Sequence, residues 1–488
     1  MQDITQLLSD MLAGSDQTMK EIKEVNAMNA GITRRAYLVV QSEAKLFTQD
    51  PTKRTWIAMP GLRGIGKTTI LSQIYCDPLL SNIKKIYASF DRVKTIGANI
   101  QDFITACENY YGSSFENINE PIALFLDEVQ YLDNWAVGLK TVLDRSKNIF
   151  IFCTGSSALS LQSDANVARR MSYIKLHPLC FTEYVMIKQS HEGLNNITKP
   201  VTGLAQQLKN AIFGSSTALD AYSKLNSLAP SVRRYWGSVT YSKNALFGEY
   251  LAYGTLPFTL DLPNKSAIWD RINRILSESL DRDVVSYNRF DNETIAMIPR
   301  LLFLLASSVE ISISKLAGTL EMNKKTIMAI LGALEKTEII TAIPPKGAHR
   351  GRIGKPNKYM FTSPAMRAAL CSFGGIITPD NDTSLKGKLL EDIVGLYLKR
   401  MFLETSFGRA IVEYDPAQGG ADFIVSLDSN NRNAIVIEVG AQKNTSRQVI
   451  QTLKDIDGKY GAIVTSGVLG VDEDNNTLRI PFEYFFLM

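Results

Sequence analysis

Between residues 55 and 178, short apolar runs rich in β-branched and aromatic residues alternate with stretches of helical spacing. The runs fall at residues 56–59, 85–90, 122–126 and 149–153, and strands alternating with helices predict a parallel, doubly wound sheet. The first 55 residues are mixed polar with helical spacing, and the pattern is again mainly helical from 181 to about 290. Between 292 and 370 further helices give way to a turn-rich, basic stretch. Residues 371–384, with Gly374-Gly375, Pro379-Asp380 and Asn381-Asp382, read as a linker. A helix, strands, a further helix and a strand follow to residue 488, a second α/β unit.

Composition adds boundaries rather than a function. Of 488 residues, 45% are hydrophobic and 21% charged, the balance of an ordinary globular protein, which excludes a disordered, fibrous or mucin-like chain. At roughly 100–200 residues per domain, the length implies about three domains. Lys and Arg number 53 against 49 Asp and Glu, a net charge of +4. That permits a local basic patch without making the whole chain a nucleic-acid binder. Cys76, Cys107, Cys153, Cys180 and Cys371 are scattered with no C-x-x-C pair, and there are 3 histidines, so neither a disulfide framework nor a zinc site is expected. Residues 1–24 lack the basic start and apolar core of a signal peptide, and no apolar run reaches the ~18 residues of a membrane span. The expectation is a soluble, cytoplasmic protein with no membrane partner.

One segment carries chemistry on its own. Gly61-Leu62-Arg63-Gly64-Ile65-Gly66-Lys67-Thr68, followed by Thr69, fits G-x-x-x-x-G-K-[ST] at every position, with an apolar strand before it and helical residues 69–75 after. Glycines let backbone N–H groups curl around a phosphate, and the helix N-terminus adds its positive end. Lys67 is placed to reach the β- and γ-phosphates of ATP, and the Thr68 hydroxyl to hold Mg²⁺. Ile122-Ala123-Leu124-Phe125-Leu126-Asp127-Glu128 is an apolar strand ending in two carboxylates. Asp127 is expected in the Mg²⁺ shell, and Glu128 to polarise the attacking water. The strand at 149–153 runs into Thr154-Gly155-Ser156-Ser157, where Ser156 is either a hydroxyl on the γ-phosphate and water or part of a plain turn. Arg169-Arg170 follows; Arg170 either neutralises transition-state charge, in cis or across a subunit boundary, or is a solvated basic turn.

On these residues the chain resembles a family of prokaryotic, archaeal-type AAA+ ATPases related to the signal-transducing STAND group. Leu176-His177-Pro178-Leu179-Cys180-Phe181-Thr182-Glu183-Tyr184 is similar to the family's segment after the last core strand. Glu249-Tyr250-Leu251-Ala252-Tyr253-Gly254-Thr255-Leu256-Pro257 and Leu280-Asp281-Arg282-Asp283 are similar to its lid. The resemblance implies an α/β P-loop core, a helical lid, a winged helix and a C-terminal restriction-endonuclease-like domain. In this chain those parts correspond to a helical segment at 1–54, the core at 55–180, the lid at 181–290, the winged helix at 291–370, the linker at 371–384 and the nuclease-like domain at 385–488. It implies ATP-dependent switching more than any one substrate, and by analogy a part in defence against foreign genetic elements.

Residues 313–320, the turn Met322-Asn323 and residues 324–336 have helix-turn-helix spacing. Strands at 339–343 and 358–361 then bracket a loop with Lys346, His349, Arg350, Arg352 and Lys355. Lys324, Lys325 and Thr326 open the second helix, where base edges and phosphates of double-stranded DNA are met. The wing's concentrated charge favours DNA, and packing on protein alone is the other reading. In the C-terminal part, Glu391, Asp422 and Glu438 resemble the metal-binding carboxylates of a PD-(D/E)XK nuclease, which would converge on Mg²⁺. The family's lysine lies two residues after the second carboxylate, where this chain has Gly440, with Lys443 further on. An inactive or conditional nuclease fold is the favoured reading. A nucleotide-controlled scaffold of homo-oligomers or partner proteins, and an active ATP-gated nuclease, are the alternatives.

Overall fold

The computed structural model describes residues 4–25, 33–155, 167, 169–284, 290–308, 311–347, 355–372, 382–403, 410–427, 433–441 and 447–488. The chain divides into two compact units, Met1–His177 with Lys336–Glu338, and Pro178–Glu335 with Ile339–Met488. No helix among the described residues is long and apolar enough to cross a membrane.

The first unit is built on strands β1 (Thr55–Pro60), β2 (Lys84–Ser89), β3 (Ile122–Asp127), β4 (Ile149–Gly155) and β5 (Ser172–Tyr173). Among the described residues they form a 5-stranded sheet in the order β2-β3-β4-β1-β5, parallel throughout. Every residue of β3 and β4 is buried, because helices cover both faces; such strands read as continuous apolar runs rather than alternating ones. On one face Leu124 and Ile151 pack with Leu8, Phe103 and Leu139 of the flanking helices. On the other, Phe150 meets Phe47 at 5.5 Å and Phe125 meets Tyr75 at 5.0 Å between ring centroids. The glycine loop follows β1 and opens the helix Lys67–Tyr75, as in a P-loop core.

In the second unit, helices from Phe181–His191 to Asn292–Ser307 lead to the pair Ile313–Leu320 and Lys324–Lys336. Strands β6 (Ile340–Ile343) and β7 (Lys358–Phe361) then pair antiparallel. A sheet of 6 strands follows among the described residues, ordered β12-β13-β11-β10-β9-β8. Its strands are β8 (Ile411–Glu413), β9 (Phe423–Ser426), β10 (Ala434–Val439), β11 (Tyr460–Thr465), β12 (Gly470–Asp472) and β13 (Thr477–Pro481). The single strand expected after the last long helix is β11. The edge strand β12 and β13 beside it come in addition, their pairing set by the turn at Glu473–Asn476 rather than by a long apolar run.

The segments read from sequence as lid, wing and C-terminal domain share one core. Phe486 lies 6.1 Å from Phe181, 5.5 Å from Phe247, 5.9 Å from Tyr250 and 5.7 Å from Tyr397. The Tyr397 hydroxyl accepts from the Phe181 N–H at 2.9 Å and donates to the Phe486 carbonyl at 3.1 Å. Truncating a buried aromatic costs about 3–5 kcal/mol. Phe486→Ala is therefore expected to lower the stability of the second unit by that amount, measured by urea unfolding. An effect below about 1 kcal/mol would show that the tail does not join these segments.

Candidate functional site

The first site lies where β1, β4 and β3 end side by side. Gly64 and Gly66 have φ of 80° and 93°, a region that L side chains avoid, and Gly66 opens the helix Lys67–Tyr75. At Gly61 a Cβ would fall 2.5 Å from the Leu176 carbonyl oxygen, so the turn admits no side chain. Lys67, buried, donates to the carbonyls of Gly61 at 3.0 Å and Leu62 at 2.9 Å, which holds its ammonium across the loop. Leu62 and Ile65 are buried, while Arg63 donates to the Tyr131 hydroxyl at 2.7 Å.

Asp127 is the centre of the polar network. The Thr68 hydroxyl donates to its Oδ2 at 2.7 Å, the Thr154 hydroxyl donates to Oδ1, and the Glu128 N–H reaches Oδ1 at 3.1 Å. Burial pushes the Asp127 carboxyl above its ordinary value and the Glu128 charge adds to this; the Thr154 and Thr68 hydroxyls and Lys67 pull the other way. Glu128 has φ 52° and accepts a hydrogen bond from the Gln130 amide.

Ser156 lies outside the described residues; the hydroxyl that reaches Asp127 from β4 is that of Thr154. Arg170 corrects an expectation. It comes just before β5, which pairs with the body of β1, and it is ion-paired with Asp144 at the end of the helix Trp135–Arg145. It therefore sits at the sheet edge opposite the loop and cannot serve the phosphates of its own subunit. Arg34 was not legible in the sequence. Its guanidinium donates to the Ile65 carbonyl at 2.7 Å and the His177 carbonyl at 2.7 Å, tying the loop to the chain beyond β5.

In the second unit Glu391, from the helix Thr383–Leu398, and Asp422 and Glu438, beside and within the C-terminal sheet, come together. The Asp422 N–H donates to Glu438 Oε2 at 3.3 Å, and the Val439 N–H to Asp422 Oδ2 at 2.9 Å. They do not form an open acid pocket. Lys358 of β7 enters between them, its Nζ 2.6 Å from Glu391 Oε2 and 3.1 Å from Asp422 Oδ1. The metal-ligand expectation is corrected to that extent: among the described residues no group of three or more His, Cys, Asp or Glu is placed to hold a metal ion. Burial works against the Lys358 ammonium, but Asp422 and Glu391 outweigh it and raise its pKa. Burial, then the Asp422 charge, pushes the Glu391 carboxyl up against the pull of Lys358. Gly440 stands in the lysine position and its N–H pairs with the Val464 carbonyl; Lys443 lies outside the described residues.

Lys324 and Lys325 are exposed at the start of their helix. Arg350 and Arg352 lie outside the described residues. Lys346 is ion-paired with Asp415 at 2.8 Å and Asp455 at 3.4 Å, so it does not present a free charge at the tip.

Residues 53–185 match a family model described as an AAA domain, and residues 244–375 match one described as a domain of unknown function. The uncharacterized protein MJ1637 of Methanocaldococcus jannaschii is 32% identical over 440 residues, 89% of this chain and 85% of that protein. Among solved structures, the Aeropyrum pernix ORC1 protein in complex with DNA is similar with a TM-score of 0.32 and 12% identity, over 70% of this chain and 92% of that one. AMPPCP-bound DnaA from Aquifex aeolicus is similar with a TM-score of 0.25 and 14% identity, over 63% of this chain and 90% of that one. At those scores neither structure bears on what this chain does.

Arg34→Ala leaves two carbonyls beside the loop without their charged donor, and a hydrogen bond to a charged group contributes roughly 1.5–3 kcal/mol. The variant is expected to lose at least 2 kcal/mol, about one such bond, in urea unfolding of the first unit, and Arg34→Lys to recover only part of it. A full recovery by lysine would show that charge alone, and not the two-pronged guanidinium, holds the loop.

Proposed function

We propose that this chain, which belongs to the same family as the uncharacterized protein MJ1637 of Methanocaldococcus jannaschii, is an ATP-hydrolysing molecular switch that acts on or near DNA. The observation that carries the reading is the convergence of Thr68, Asp127 and Thr154 at the mouth of a glycine loop whose lysine is already held across it. The loop's N–H groups and Lys67 bind the phosphates of ATP, with residues 61–69 forming the cradle. Thr68 and Asp127 are the residues that would hold Mg²⁺, which when bound neutralises phosphate charge. The donor set fits: a hydroxyl and a buried carboxylate in direct contact. Glu128, fixed by its left-handed backbone and Gln130, orients the attacking water and takes its proton. An arginine for the transferring phosphate comes from a neighbouring subunit or a partner protein, since Arg170 of the same chain faces away.

Contact with double-stranded DNA falls to Lys324 and Lys325 on a winged-helix-like pair, with Arg350 and Arg352 of the wing loop. The C-terminal domain is nuclease-like and inactive as it stands, because Gly440 replaces the lysine and Lys358 occupies the carboxylates. A cytoplasmic role against foreign genetic elements is the setting that the family resemblance favours. The engaged Lys346 supports a second reading, a nucleotide-controlled scaffold whose wing docks on protein.

ATP turnover with and without double-stranded DNA separates these. Wild type is expected to turn over faster with DNA. Glu128→Gln should lose roughly 10²–10⁴-fold in kcat, the usual range for a general base, while still binding nucleotide. Lys324→Glu with Lys325→Glu should keep the basal rate and lose the stimulation. Turnover indifferent to DNA would favour the protein-docking role, and nucleotide binding without turnover the scaffold.

A further inference from the structure

We propose that Arg63 of the glycine loop is a positioning residue for hydrolysis, acting through the Tyr131 hydroxyl on the turn that carries Glu128. The inference rests on the hydrolysis reading above and gives a task to a side chain at a position the loop motif leaves open.

Glu128 needs support from its surroundings. Its backbone is left-handed, at φ 52° and ψ 44°, a region that an L residue keeps only where its neighbours hold it there. It opens the short 3₁₀ turn Val129–Tyr131 at the end of β3. Val129 anchors that turn in the core with Phe90 and Val93. The Glu128 N–H donates to Asp127 Oδ1 at 3.1 Å, the Tyr131 N–H donates to the Glu128 carbonyl at 3.1 Å, and the Gln130 amide donates to Glu128 Oε2. These hydrogen bonds stay within the turn and the strand before it. Arg63 adds one from the phosphate loop: its Nη2 donates to the Tyr131 hydroxyl at 2.7 Å, between residues 68 positions apart.

The loop's other side chains have different tasks. Leu62 and Ile65 are buried, Gly64 and Gly66 carry none, and Lys67 is turned back on the carbonyls of Gly61 and Leu62. Arg63 therefore starts from a backbone anchored on both sides, and its guanidinium reaches the end of β3. A charged donor makes a stronger bond to the hydroxyl than a neutral one would, and the planar guanidinium fixes its direction. Loop, Arg63, Tyr131 and Glu128 form one line of contacts from the phosphate cradle to the carboxylate that orients the water. A general base works only within hydrogen-bond reach of the proton it takes, and a displacement of about 1 Å can cost on the order of 10²-fold in rate. Removing the tie loosens the turn at Tyr131, and Glu128 with it. It leaves in place the loop N–H groups and Lys67, which bind the phosphates. The loss therefore falls on kcat and not on affinity.

Steady-state ATP turnover by the full chain, beside binding of a non-hydrolysable ATP analogue, tests this. Tyr131→Phe removes the acceptor and keeps the ring. It is expected to lower kcat about tenfold or more, and to change the analogue's Kd less than about twofold. Arg63→Gln should show the same split, and the double variant should be no slower than the slower single one, because both remove the same bond. In a Glu128→Gln background, Tyr131→Phe should slow the residual rate no further, which separates action through Glu128 from damage elsewhere. An unchanged kcat in Tyr131→Phe would overturn the proposal. So would a further fall in the Glu128→Gln background, or a Kd that rises in step with the fall in kcat, since Arg63 would then serve the nucleotide itself. Should Tyr131→Phe not fold, Arg63→Gln carries the test; if neither folds, the contact is structural and the proposal is overturned. A wild type that binds the analogue and turns over no ATP would sink the hydrolysis reading itself, and this inference with it.

Discussion

Strands β3 and β4 are buried along their whole length, so the polar atoms at their C-terminal ends are the first that the sheet offers to anything outside it. The first unit depends on that constraint. Because β4 is inserted between β1 and β3, the glycine loop after β1, the Thr154 hydroxyl at the end of β4 and the Asp127 carboxylate at the end of β3 are neighbours. In this order β1 and β3 lie two strand spacings apart, about 9.6 Å, and the Thr154 hydroxyl of the intervening β4, with Thr68 after the loop, spans the gap to Asp127. Strand order, rather than the glycine motif alone, makes the site.

The second unit meets a different problem. Glu391, Asp392 and Asp422 lie under helices and a hairpin, with little of the water that would solvate them, and each is matched by a cation from elsewhere in the chain. Asp392 receives Arg367, with Nε at 2.5 Å and Nη2 at 2.9 Å, and the same guanidinium also donates to the carbonyls of Leu305 and Ala306. Glu391, its neighbour in sequence, receives Lys358 instead. One helix thereby gathers a strand, a preceding helix and the C-terminal sheet through adjacent carboxylates that point to different partners. This is why segments with the sequence character of a lid, a wing and a separate domain share one core.

The strands of the first sheet and the loop were legible because their signals are local. Continuous apolar runs mark strands covered on both faces, and the glycines with Lys67 and Thr68 stand within eight consecutive positions. Arg34 was not, since its acceptors are backbone carbonyls 31 and 143 residues away, and a carbonyl has no sequence signature. Thr154 stood two positions before the residue expected to act, and at the end of β4 its hydroxyl meets Asp127. Lys358 was hidden more thoroughly. At the first position of a short hairpin strand a lysine reads as a solvated charge, and its Asp422 partner is 64 residues away. The carboxylate triad and the gap at Gly440 were both readable, but what fills the gap comes from a different element.

The two carboxylate centres show how the kind of compensation decides what a buried acid can still bind. Asp127 is held by two neutral hydroxyls and a backbone N–H. Hydrogen bonds stabilise its charge without cancelling it. Burial works against that charge and raises its pKa. At Glu391 and Asp422 the charge is cancelled by a full ammonium, and a newcomer must first displace it. The two centres thus differ in how their carboxylates are compensated: neutral hydroxyls and an N–H at Asp127, an ammonium at Glu391 and Asp422.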